Sequence, residues 1–299
     1  MATTTLSWLH ISDLHIMDSS LLKVMIGEQE SFAKQREFSF IVVTGDLRDK
    51  DCTCKEDKYT KAKEYLEKLN ELFKIGKENI FIVPGNHDAE HFKYRKEIIN
   101  TIVKELPTNY DVASCYLKDS PNLLDAFDSY SKFAYEFYND SKDKESENEK
   151  KESTSPTKSE KDNEEIPKDK IEKYASTRVV QVPRDKPLLN LILLNTALIS
   201  DGDRSHAEVV DIGSLYDIEV NENLPSIVIA HHNFDSIHEI HQNMLLRRFS
   251  SLKVRAYLCG DLHKTKLSNI TNCNTTFESQ NIPCIACGVS VANPQDFFF

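Results

Sequence analysis

Six short runs of the chain are apolar at nearly every position: residues 6–11, 40–44, 80–83, 188–195, 226–230 and 255–259. A strand covered on one face alternates apolar and polar residues, whereas one covered on both faces reads as a continuous apolar run. These runs therefore predict strands buried on both sides, and residues 282–291 predict a closing strand. Stretches of helical period lie between them. Residues 57–74 place apolar or aromatic side chains at 59, 62, 65, 66, 69, 72 and 73, a single helical stripe that Gly76 ends. Residues 238–249 repeat the stripe and close on Arg247 and Arg248, cations suited to the carbonyl end of a helix. Strands alternating with helices predict a layered α/β fold.

One segment breaks the order. Residues 139–173 are almost entirely Lys, Glu, Asp, Ser and Asn, with Ile166 and Ile171 the only aliphatic side chains. Such a stretch buries too little surface to offset its ordering entropy. It reads as a disordered or weakly helical insertion within one domain spanning 1–299, because strands of similar character lie on both sides. Residues 123–138, of helical period, would tether it.

Composition narrows the picture. The 299 residues carry 37 basic and 48 acidic side chains, a net charge of -11. That balance excludes a general nucleic-acid coat protein but not a local basic site. The chain is long enough to bury a core without disulfides. Seven cysteines and no export signal predict reduced thiols and a cytoplasmic setting. Cys284 and Cys287, three apart on a strand, would point to opposite faces and share no metal. Cys52 and Cys54 could share a face but lack a second ligand pair. No apolar run approaches the roughly 18 residues that span a membrane.

The chemistry lies just past the apolar runs. Ser12-Asp13-Leu14-His15 follows the first, Gly45-Asp46-Leu47-Arg48-Asp49 the second, and Pro84-Gly85-Asn86-His87-Asp88 the third. His231-His232 and Gly260-Asp261-Leu262-His263 follow two later runs. In α/β sheets the loops beyond the carboxyl ends of strands host ligands, so five such ends can converge on one crevice. Mixed carboxylate and imidazole donors suit hard or borderline divalent ions. A pair of ions roughly 3.5–4 Å apart needs a short carboxylate to bridge them.

This ordered set resembles the calcineurin-like metallophosphoesterases, whose motifs are D-x-H, G-D-x-x-D, G-N-H-D, a later His and G-H-x-H. The resemblance runs from about residue 6 to residue 292, and the branch it looks most like contains the cyclic nucleotide phosphodiesterases. It implies a four-layer α/β fold, two mixed sheets face to face with helices outside. It also implies a phosphodiester substrate, a nucleotide among the candidates, attacked in line by a hydroxide bridging two ions. Mn²⁺ leads as the metal, with Fe, Zn²⁺ and Mg²⁺ as alternatives. By the same resemblance Asp13, His15 and His263 hold the first ion, Asp46 bridges, and Asn86 and His231 hold the second. His87 protonates the leaving oxygen or stabilises its charge, Asp88 orients His87, and Asp49 supports from behind.

The chain departs from the pattern at Asp261, where the first histidine of G-H-x-H stands in the family. Aspartate can still ligate the second ion. It adds a negative charge, which raises the pKa of bound water, weakens attraction for an anionic phosphate and favours oxygen-loving ions. Two other functions stay open: a nuclease using a basic groove of Arg247, Arg248, Lys253, Arg255, Lys264 and Lys266, and a low-activity metal- or nucleotide-binding module. Arg48 reads as an anion clamp or as a salt bridge to Asp49 or Asp51. His91, Tyr94 and Arg95 read as the surface of a helix start or as lining of the phosphate pocket; His206, His238 and His241 match no motif, and the last two read as a solvated face. Phe297–299 would pack back on the sheet, dock on a partner or lead into a further domain.

Overall fold

In the computed structural model, residues 6–16, 19–48, 58–90, 93–119, 121–149, 167–184, 186–200, 207–271 and 281–288 are described. The strands are β1 (Trp8–Ile11), β2 (Phe40–Thr44), β3 (Ile80–Val83), β4 (Arg178–Val182), β5 (Leu189–Leu193), β6 (Ser226–Ile229), β7 (Val254–Cys259), β8 (Lys266–Thr271) and β9 (Asn281–Ala286). The helices are α1 (Ser19–Ala33), α2 (Thr60–Phe73), α3 (Lys93–Glu105), α4 (Tyr110–Asp119), α5 (Pro121–Asp125), α6 (Asp128–Glu149), α7 (Lys168–Glu172), α8 (Ile212–Asp217) and α9 (Glu239–Ser251).

The strands form two sheets, in the orders β1-β2-β3 and β4-β5-β6-β7-β9-β8. The first is parallel throughout its described strands, and the second is mixed, with β4 and β8 antiparallel at its edges. Three apolar layers follow from the alternation of side chains along each strand. Phe40, Val42, Phe81 and Val83 meet Leu189, Leu191, Leu193, Ile227 and Ile229 between the sheets. Ile41, Val43, Ile80 and Ile82 face the other way, into a cluster with Leu66, Leu69, Ile99 and Phe133 from the helices. On the outer face of the second sheet, Ile192, Val228, Val254 and Tyr257 pack with Leu215, Leu245 and Phe249 of α8 and α9. Helix, sheet, sheet, helix is the four-layer α/β architecture, and each continuous apolar run is a strand that feeds two of these layers.

Local chemistry sets the helix ends. Lys74 caps α2 in a left-handed conformation at φ 53°, and the Gly76 N–H donates to Asn70 Oδ1 at 2.8 Å. At α9 the His238 ring accepts the Ile240 N–H. The charged segment begins as the continuation of α6 to Glu149 and ends in α7; residues 150–166, like Phe297–299, Cys52 and Cys54, lie outside the described residues. Cys284 packs in the outer layer while the Cys287 thiol points to the His10 carbonyl, so the two do face opposite ways. No helix of the described residues is long and apolar enough to cross a membrane.

Register aligns the strand ends. Ile11 pairs with Val43, and Thr44 with Val83; Ile229 pairs with Leu258. The residues that follow β1, β2, β3, β6 and β7 therefore leave the two sheets at one edge of the sandwich.

Candidate metal centre

Backbone hydrogen bonds lace the five loops together. Asp13 N–H donates to the Gly45 carbonyl at 3.2 Å and His15 N–H to the Asp46 carbonyl at 3.0 Å. Gly260 N–H donates to the His231 carbonyl at 2.8 Å. Bonds also cross from one sheet to the other, among them His231 Nδ1 to the Thr44 carbonyl at 2.7 Å and Asp261 N–H to Asp13 Oδ2 at 3.2 Å. The Gly85 backbone runs so close to Asp46 that a Cβ built there would stand 2.2 Å from Asp46 Oδ1, and one on Gly260 would stand 1.8 Å from Ser12 Oγ.

The loops are also strained. Among the described residues, seven that are not glycine have positive φ, and five of them are Asp13, His15, Asp46, Asp261 and His263. Left-handed backbone costs an ordinary residue about 1–3 kcal/mol and persists where surrounding structure over-determines it, which is typical of functional loops. Such a turn swings these side chains off the strand direction and into the crevice.

Two donor sets result. Asp13 Oδ1 is sealed from solvent and takes no well-formed hydrogen bond; it faces His263 Nε2 at 3.4 Å and His15 Nε2 at 3.9 Å. His15 Nε2 also lies 3.7 Å from Asp46 Oδ2. On the other side, His231 Nε2 lies 3.5 Å from Asp46 Oδ1 and 2.8 Å from Asn86 Oδ1. Asp261 joins His231 and His232 in a third group whose candidate ligand atoms all lie within 4.8 Å of one another. Donors bonded to one ion at about 2.1 Å stand roughly 3.0–3.5 Å apart, so this spacing fits coordination. Asp46 turns one carboxylate oxygen to each set.

Tautomer logic supports the fit. A carbonyl only accepts, so His231 Nδ1 carries the proton of its bond to Thr44, and a neutral ring then turns the Nε2 lone pair toward the oxygens of Asp46 and Asn86. That is repulsive unless a cation or proton lies between, and a backbone partner on the far nitrogen is the usual arrangement of a metal-ligating histidine. The electrostatics agree. Burial alone would lower the His231 imidazole, but Asp46, Asp13, Asp261 and the Thr44 carbonyl outweigh it and lift it to about 9. Burial, with Asp88 and Asp13 adding and His231 opposing, pushes the Asp46 carboxyl up to about 7. Burial would also raise Asp13, yet His263, His231 and Ser12 hold it at about 2. The mixture of carboxylate, imidazole and amide oxygen donors suits Mn²⁺, Fe or Zn²⁺.

His87 stands at the mouth of the pocket. Its N–H donates to Asp46 Oδ1 at 2.8 Å, its ring packs edge-on against His15 at 4.6 Å, and its side chain is 18% exposed. Asp88 is fully buried and engages other partners: Oδ2 accepts the N–H groups of Gly85 at 2.9 Å and Leu47 at 3.4 Å, and Oδ1 accepts the Tyr59 hydroxyl at 3.2 Å. The expected direct hold of Asp88 on His87 gives way to a hold on the loop that carries it. Tyr59 had no motif to mark it; only its place on the α2 stripe hinted at burial.

Other expectations sort by geometry. Asp49, His91 and His206 lie outside the described residues. Arg48 is buried, donates to the Ala89 carbonyl and stacks over Tyr59, so it braces two loops beneath the pocket. Arg95 is no surface residue: it is 1% exposed and donates to the carbonyls of Leu198 and Ser200. His241 is buried rather than solvated, and its Nδ1 accepts the Val210 N–H. His232 meets Thr196 through Nδ1 at 3.1 Å and Glu208 through Nε2 at 3.5 Å, a pairing with no signal in the sequence. The basic residues named for a groove fall in two places. Arg248 is committed to the carbonyls of Leu215, Tyr216 and Ile218, and Lys253 to that of Glu222, at the start of β7. Lys264 and Lys266 follow its far end, a strand length of roughly 17–20 Å away.

The chain is similar in structure to three solved proteins. They are GAP50, the anchor in the inner membrane complex of Plasmodium (TM-score 0.41, 13% identity, 95% of this chain and 72% of that one); a dimetal phosphatase from Danio rerio (0.43, 11%, 97% and 89%); and the phosphopantetheinyl hydrolase PptH from Mycobacterium tuberculosis (0.40, 12%, 97% and 90%). In sequence it is 23% identical over 280 residues to YydB, an uncharacterized metallophosphoesterase-like protein of Bacillus subtilis (strain 168), covering 89% of this chain. It spans only 50% of that relative's length. The family model for calcineurin-like phosphoesterases matches residues 6–265. With that match over most of its length, the chain belongs to the calcineurin-like phosphoesterase family.

Proposed function

We propose that this protein is a metal-dependent phosphoesterase acting on a small phosphodiester, a nucleotide among the candidates, within one domain spanning 1–299 that carries a charged insertion at 139–173. The observation that carries the reading is the placement of Asp46, whose Oδ2 faces His15 while its Oδ1 faces His231. Asp13, His15, Asp46 and His263 would hold one divalent ion, and Asp46, Asn86, His231 and Asp261 the other, with Mn²⁺ first. When bound, the ion pair supplies an activated water and neutralises charge on the phosphoryl oxygens.

The chain's own residues do the rest. The His231 bond to the Thr44 carbonyl fixes which ring nitrogen faces the pocket. The His87 N–H bond pins the Asp46 carboxylate. The His87 ring, at the open side, would give a proton to the departing ester oxygen, a common task of histidine in hydrolytic sites. Asp88 and Tyr59 act through the loop by fixing Gly85 and Leu47. Dispersal of the basic residues over both ends of β7 favours a small diester over a long nucleic-acid strand.

The test is hydrolysis of bis(p-nitrophenyl) phosphate by metal-stripped protein reloaded with Mn²⁺, beside Asp46→Asn. Turnover that requires both metal and Asp46 is expected. Turnover that survives Asp46→Asn, or none with metal bound, counts against the proposal.

A further inference from the structure

The pocket holds one more carboxylate than the family pattern provides, and its position has a consequence for the substrate. Asp261 sits in left-handed backbone at φ 60°, anchored by its N–H to Asp13 Oδ2. Its carboxylate belongs to the group containing His231 and His232. Its backbone thus leans on a carboxylate of the first donor set while its own carboxylate lies beside an imidazole of the second. Asp261 therefore lies where its field reaches both donor sets.

Charge counting then separates two classes of phosphoester. Two divalent ions bring four positive charges, and Asp13, Asp46 and Asp261 leave a surplus of one; a neutral imidazole at 261 would leave two. A phosphodiester carries one negative charge and a phosphomonoester close to two at neutral pH. Glu208, 3.5 Å from His232, adds negative rather than positive charge on that side, and Lys264 and Lys266 are exposed at the rim, where solvent screens them. We propose that Asp261 is a specificity-determining residue that makes the pocket prefer singly charged diesters over doubly charged monoesters. This rests on the phosphoesterase reading above. One elementary charge roughly 6 Å from a phosphoryl group, at the effective dielectric of a protein surface, is worth about a 10- to 100-fold discrimination.

The experiment is calorimetric titration of Mn²⁺-loaded protein with methyl phosphate and dimethyl phosphate at about pH 8, where the two differ by nearly one charge. Wild type is compared with Asp261→Asn, which keeps an oxygen donor, and Asp261→His, which restores the imidazole. Bound metal is counted for each, and a variant that loses an ion is set aside for the other. The expected result is that dimethyl phosphate binds the variants about 10- to 100-fold more tightly than wild type and methyl phosphate gains about 10- to 100-fold beyond that, because the interaction scales with the ligand's charge. Equal changes for both probes overturn the charge role and leave the phosphoesterase reading standing. Loss of an ion from both variants also overturns it, because Asp261 is then needed to hold metal. If neither probe binds metal-loaded wild type, the phosphoesterase reading falls with it.

Discussion

Gly85→Ala tests whether the metal loops interlock as tightly as their geometry says. The Gly85 backbone, at φ -107° and ψ -178°, is open to any residue, so conformation does not demand glycine there. Space does. An added Cβ would lie 2.2 Å from Asp46 Oδ1 and 2.4 Å from Asp46 N, where ordinary carbon–oxygen contacts stand above 3 Å. One loop must retreat by about 1 Å, and a displacement of that size in a catalytic group costs on the order of 100-fold in rate. Overpacking adds about 1–3 kcal/mol of destabilisation. Gly27, inside α1, is the matched control, since a Cβ there meets nothing within 4 Å. Gly27→Ala should keep full activity and gain roughly 0.5–1 kcal/mol, the helix preference of alanine. The assay is turnover and bound metal at saturating Mn²⁺, with melting curves for both variants. Wild-type turnover and metal content in Gly85→Ala would refute the close approach of β2 and β3 loops on which the site is built.

Two further substitutions probe the scaffold. Arg95→Met strands the Leu198 and Ser200 carbonyls in the interior; it should cost about 2–4 kcal/mol in denaturant unfolding, and a loss under about 1 kcal/mol would contradict the clamp. Burial, with His238 nearby, holds the His241 imidazole down at about 4, against 6.5 when unfolded. The unfolded chain then binds more protons in that window, so this contribution is complete above about pH 6.5 and is lost as pH falls toward 4. Melting curves should show His241→Gln less acid-sensitive than wild type across that range, and parallel curves would refute it.

Much of this was legible because burial on both faces leaves a mark. β2, β3 and β5 read as continuous apolar runs since each feeds two packed layers, and the ligand-rich loops begin where those runs stop. β4 and β8 left no such mark. They are edge strands, and β8 is exposed at most positions, with Leu267 74% exposed. Side chains there answer to one neighbour and to water, so Lys266-Leu-Ser-Asn reads as loop as readily as strand. The site followed the same division. Asp13, His15, Asp46, Asn86, His231, Asp261 and His263 sit at motif spacings and meet in space. The contacts that aim them do not announce themselves: the Thr44 carbonyl has no side-chain signature, and Tyr59 reaches Asp88 only through the packing of α2. Arg95 and His241 misread for a related reason. Polar residues on a helical stripe look solvated until a neighbouring segment brings carbonyl or N–H partners to them.

The central claim is that Asp46 bridges two ions, and anomalous scattering from Mn²⁺-soaked crystals tests it most directly. The account predicts two peaks about 3.5–4 Å apart, one on each side of the Asp46 carboxylate, the first among Asp13, His15 and His263 and the second among Asn86, His231 and Asp261. A single peak, or none within reach of Asp46, would contradict it.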